Sequence, residues 1–144
     1  MQKVCEARAT IRRHIKSRGN DSCYQVTENM IAHWFRLLNA AVFSNQLPTP
    51  REFLTFEYKN RDSTLGFCRH QNIKNTISIA VCKEFDDRRT FLTVLVHEMV
   101  HMYQAVFRTR YSYHSRMTHG KSFYDWQDTV KRTVGLGLSE YIEV

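Results

Sequence analysis

Thr90–Gln104, TFLTVLVHEMVHMYQ, is the stretch on which the reading of this chain turns. Its apolar residues (Phe91, Leu92, Val94, Leu95, Val96, Met99, Val100, Met102, with Val106 just beyond) run nearly all the way round a helix. Such a helix is expected to lie buried in a core rather than on a surface. Within it stand His97, Glu98 and His101. Burying three polar groups is costly unless hydrogen bonds or a metal ion satisfy them. Residues i and i+4 of a helix share a face, about 6 Å apart along the axis, so two imidazoles at 97 and 101 can reach one cation. Glu98 falls between them in angle, near a water on that cation without being a ligand. This is the HExxH pattern of zinc peptidases. Zinc lowers the pKa of a coordinated water from 15.7 towards ~7, and a neighbouring carboxylate can take its proton and return it to a leaving amine.

Composition admits this chemistry and narrows the alternatives. A chain of 144 residues suffices for one domain with its own core. Its 42% hydrophobic and 24% charged content is that of an ordinary globular protein. No apolar run reaches the ~18 residues that span a bilayer. The basic N-terminus lacks the apolar core of a secretory signal. Cys5, Cys23, Cys68 and Cys82 form neither a CxxC pair nor a zinc-finger spacing. A reduced, cytoplasmic protein is the expectation, in the host cytoplasm if the source is viral.

The net charge of +7 is concentrated at one end. Residues 1–24 carry Lys3, Arg8, Arg12, Arg13, Lys16 and Arg18 against Glu6 and Asp21. They read as a basic arm or short helix, set apart from a domain over 25–144 by the turn-rich Ser17–Ser22. Clustered cations of this kind suit a polyanion, and with no base-reading motif present the expected partner is DNA without sequence preference. A solvated helix that only confers solubility is the competing reading.

From Thr27, an N-cap, a helix is expected to about Phe43, with Ile31, Trp34, Phe35, Leu38, Ala41 and Val42 on one face and Leu47-Pro48-Thr49-Pro50 ending it. Three strands are expected at Glu52–Tyr58, Leu65–Arg69 and Thr76–Val81, the last with Ile77, Ile79 and Val81 on one face. Asp86 or Asp87 favours the N-terminus of the HExxH helix. A last helix follows His119-Gly120, with Phe123, Trp126, Val130 and Val134 about a turn apart and Gly135 and Gly137 ending it. Ser139–Val144 is either an edge strand or loose. The architecture is α+β: a small antiparallel or mixed three-stranded sheet packed on the HExxH helix, with flanking N- and C-terminal helices.

A catalytic zinc takes three protein ligands and keeps one position open. The extended pattern HExxHxxGxxH fails, because Gln104 and Phe107 occupy its glycine and third-histidine positions. His119, His114 and Asp125 are then the candidates, His119 the best placed, directly ahead of a glycine and a helix. His14, His33 and His70 lie in other segments. Tyr103, Tyr111 and Tyr113 are candidates to contact substrate or a developing oxyanion, and the Tyr111–Tyr113 loop is a candidate for stacking on single-stranded bases.

Phe43-x-x-x-Leu47-Pro48, Leu65-Gly66-Phe67-Cys68, Thr76-Ile77-Ser78-Ile79, LVHEMVHMYQ and His119-Gly120-x-x-Phe123 together resemble the SprT-like metallopeptidase domain over roughly residues 27–130. That family includes the Spartan-type proteases, which degrade proteins crosslinked to DNA. The resemblance implies a zincin-like fold, one zinc per chain on His97, His101 and His119, and Glu98 as general base. It also implies a protein or peptide substrate, with DNA-associated proteins among the candidates. The four-cysteine zinc ribbon of many bacterial members and the long tails of eukaryotic members have no counterpart here; a version of this size is similar to those carried by bacteriophages and mobile elements. The alternative function is a zinc-stabilised binding or structural module that cleaves nothing. Glu98 argues against it, since a structural zinc needs no base and usually has four protein ligands.

Overall fold

The computed structural model describes residues 3–17, 24–57, 65–71, 76–107 and 121–138. In chain order these form α1 (Val4–Lys16), β1 (Tyr24–Gln25), α2 (Glu28–Phe43), β2 (Glu52–Phe56), β3 (Gly66–Gln71), β4 (Thr76–Cys82), β5 (Glu84–Phe85) and α3 (Arg88–Val106), then α4 (Lys121–Tyr124) and α5 (Gln127–Val134). The class is α+β, as expected.

The sheet is mixed. Its order is β2-β4-β3, with β2 parallel and β3 antiparallel to β4. Ile77, Ile79 and Val81 alternate along β4 and are buried, as a period of two predicts. Ala80 and Cys82, on the opposite face, are buried as well. Leu54 and Phe67 flank Ala80 in register, and the Phe56 and Phe67 rings lie 5.6 Å apart near-parallel. A second, two-residue ladder was not expected. It pairs β1 with β5 and is extended by the Val26 N–H donating to the Lys83 carbonyl at 2.8 Å. This ladder ties the segment entering α2 to the one entering α3.

Both long helices begin at side-chain caps. Thr27 Oγ1 accepts from the Met30 N–H at 3.2 Å, and Asp87 Oδ1 from the Thr90 N–H at 2.7 Å. Each such cap is worth about 1 kcal/mol. Asp87, not Asp86, is the acidic cap of α3. The end of α2 comes earlier than the prolines: Ser44 and Asn45 turn left-handed, at φ 53° and 62°. Asn39 then clasps the turn, donating from Nδ2 to the Leu47 carbonyl and accepting the Leu47 N–H at Oδ1.

Residues 91–100 of α3 are buried without a break, together with Met102. β3 packs against one side of the helix, and α2, α1 and α4 also touch it. The last helix is not continuous. Asp125 and Trp126 form a turn between α4 and α5, and α5 ends at Gly135, whose φ of 77° suits a residue without Cβ. Leu136 and Leu138 beyond it are buried. Ser139–Val144 lie outside the described residues.

Between an arm and a helix, residues 4–16 are a helix, and its Ala7 and Ile11 are fully buried, chiefly against α2. Two of its cations serve helix ends: Arg8 Nε donates to the Ala41 carbonyl at 2.9 Å and Arg12 Nη2 to the Arg132 carbonyl at 2.8 Å. From α3, Arg89 Nη2 donates to the Gly135 carbonyl at 3.0 Å. These contacts supply donors to carbonyls that helix geometry leaves without partners. The sequence offered no such employment for Arg8 and Arg12. Lys3, Arg13 and Lys16 are exposed, and Arg18 lies outside the described residues.

Candidate metal centre

His97 and Glu98 sit at the middle of α3, each 1% exposed, and His101 is half-buried one turn on. The four-residue spacing brings His97 Nε2 and His101 Nε2 to 3.2 Å, with the rings steeply inclined at 76°. Two imidazoles on one tetrahedral zinc, each at ~2.0–2.1 Å, have nitrogens about 3.3 Å apart. The spacing therefore fits a shared cation.

Gln104 determines which nitrogen of His101 is available. Its Oε1 lies 2.8 Å from His101 Nδ1. An amide oxygen only accepts, so Nδ1 carries the proton and Nε2 keeps its lone pair. A partner of this kind on the second ring nitrogen is what orients metal-bound histidines generally. By motif, Gln104 stands out only as the residue that replaces a glycine in the extended pattern. A signal for its role was nonetheless present: it lies three residues after His101, where helix side chains meet.

Phe123 of α4 covers both imidazoles. Its centroid is 4.8 Å from that of His101, near-parallel at 29°, and 4.7 Å from that of His97 at 60°. Helical periodicity gives Phe123 a place in the core and nothing more.

β3 closes another side. Gly66 is buried, and a Cβ at that position would lie 2.8 Å from Val94 Cγ1 and 3.2 Å from Glu98 Cγ. The strand backbone thus runs directly against the stem of the glutamate. Cys68, two residues along and so on the same strand face, has its thiol pushed up to about 12, first by burial and then by the charge of Glu98. It stays protonated at neutral pH. Cys5 and Cys82 are also free thiols, while Cys23 lies outside the described residues.

The remaining candidates divide. Tyr103 follows His101 on the same helix. It stands two residues, about 200°, round the helix from His101, and its ring packs with Phe43, Phe107 and Trp126. Asp125 is exposed in the turn between α4 and α5. His14 is wedged between Trp34, stacked at 4.1 Å, and the Tyr24 hydroxyl at 3.2 Å, and His33 is exposed. Tyr111, Tyr113, His114 and His119 lie outside the described residues. Among the described residues no three His, Cys, Asp or Glu side chains gather into a metal-holding group, and no helix is long and apolar enough to cross a membrane.

Compared with known families, residues 31–142 match the model of the SprT-like family. No curated protein matches the chain.

Proposed function

We propose that this chain, which belongs to the SprT-like family, is a zinc-dependent endopeptidase built in the zincin manner on its HExxH helix. The observation that carries the proposal is the 3.2 Å approach of His97 Nε2 and His101 Nε2, with the proton of His101 held on the far nitrogen by Gln104. His97 and His101 would hold the metal. His119 would be the third ligand: in sequence it stands two residues before α4, whose Phe123 covers both imidazoles. Zinc held there supplies Lewis acidity, acidifying water and polarising a carbonyl. Glu98 supplies the proton traffic. Buried with its stem against β3, its carboxylate takes a proton from the attacking water and passes it to the departing amine. A site that excludes bulk water strengthens each of these electrostatic interactions.

The test is hydrolysis of an unstructured protein by the purified chain, before and after chelation. Activity lost on chelation and regained on adding about one equivalent of zinc is the expected outcome. Hydrolysis indifferent to the chelator would refute the proposal. Tyr103, Tyr111 and Tyr113 are the tyrosines proposed to meet the substrate or the oxyanion, and the cytoplasm is the proposed compartment.

Non-specific DNA is the proposed partner, and proteins associated with it the proposed substrates. Support comes from the exposed cations Arg13 and Lys16 of α1 and Lys3 just before it. Arg12 reaches the Arg132 carbonyl, so exposed Lys131 and Arg132 adjoin the same surface. Deleting the first helix is the wrong experiment, since Ala7 and Ile11 belong to the core. Exchanging Arg13, Lys16 and Lys131 for Gln instead keeps the helices. If each of the three meets a phosphate, log K against log[salt] becomes shallower by about 2.7. An unchanged slope removes DNA from that surface.

A further inference from the structure

Glu98 owes its place to more than its own helix. Val94 and Glu98 are one turn apart on α3 and share the face turned to β3. Opposite them stands Gly66, paired with Val81 in the antiparallel ladder. A methyl group at 66 would come to 2.8 Å from Val94 Cγ1, 3.2 Å from the Ala80 carbonyl oxygen and 3.2 Å from Glu98 Cγ. The first distance cannot be tolerated without movement, and the other two are tight. The Val94 methyl and the Glu98 stem therefore both rest on space that exists only because residue 66 has no side chain.

We infer that Gly66 is a positioning residue for the base: its bare backbone lets the Glu98 stem lie flush on β3 and so sets where the carboxylate stands. This rests on Glu98 acting as the base of a zinc peptidase. The competing account makes Gly66 a packing residue whose only task is to admit Val94.

The two accounts part on one pair of variants. Gly66→Ala should lower both the melting temperature and kcat. Adding Val94→Ala removes the colliding Cγ1 and leaves room for the new methyl, close to a volume-conserving exchange. In Gly66→Ala/Val94→Ala the melting temperature should return most of the way, with one zinc per chain and KM near wild type. The methyl still presses on Glu98 Cγ, so kcat should stay down about 10- to 100-fold, the scale of a reacting group displaced by a fraction of an ångström to an ångström. Val94→Ala alone should keep kcat near wild type. Recovery of kcat in step with stability would overturn the inference and leave Gly66 a packing residue. A double variant that does not regain the fold also counts against it, because the conflict then lies elsewhere than at Val94. Wild-type protein that hydrolyses nothing defeats the proposed function instead, and is distinguished by being read first.

Discussion

Glu98→Gln should abolish peptide hydrolysis, by about 10²-fold or more, in a protein that still folds and still binds its zinc. The magnitude is that of a missing general base. The exchange keeps the volume of the side chain and the stem that rests on β3, where Cγ lies 3.2 Å from the point a Cβ on Gly66 would occupy. Among the described residues it removes the carboxylate that stands beside the two histidines on α3. Glu98 is 1% exposed, so solvent carboxylate or buffer has little access to replace it. The neutral amide also relieves Cys68 of a neighbouring negative charge, so its thiol should titrate lower, while burial, the larger cause, still holds it up. Measuring kcat, zinc content and melting temperature on one preparation separates the outcomes. Undiminished hydrolysis with zinc in place would show that another group moves the proton.

Zinc should be found at about one per chain, and His119→Ala should lose most of it while His114→Ala keeps it. A catalytic site of three protein ligands reduced to two histidines loses much of its hold. The two that the structure describes, His97 and His101, are already spaced for a shared cation. Gln104→Ala provides a graded companion. It leaves every ligand in place and removes only the acceptor at 2.8 Å from His101 Nδ1. Loss of such an orienting partner typically costs about 10- to 100-fold in metal affinity. Competition with a chelator of known affinity measures all three variants. Zinc retained by His119→Ala and lost by His114→Ala would transfer the third position to His114.

Much of this was legible in the chain because it is local. The helix at 88–106 announced itself by an apolar run interrupted at 97, 98 and 101, and its burial followed from having no polar face. The pairing of the two imidazoles needs nothing beyond 3.6 residues per turn. Thr27 was readable as a cap because a cap bonds within three residues of itself, while the sequence offered Asp86 or Asp87 for the dipole of α3 and the structure makes Asp87 its cap. The alternation of Ile77, Ile79 and Val81 named the inner face of its strand before any partner was known.

Whatever depends on a neighbour distant in sequence was decided only by the tertiary structure. Strand order is an example: β4 lies in the middle, pairing in parallel with β2 on one edge and antiparallel with β3 on the other, and no local periodicity encodes that. Arg8 and Arg12 looked like spare cations because the carbonyls they serve are 33 and 120 residues away. Tyr103 is close to His101 in sequence, and its packing against Phe43 and Trp126 was likewise not written in its own segment. Gly66 looked like any glycine in a strand until Val94 and Glu98 stood opposite it. The sequence by itself determined the HExxH helix, because one helix supplies both imidazoles and the glutamate between them. The walls that hold those groups in place come from β3 and α4, and only packing brings those elements to the helix.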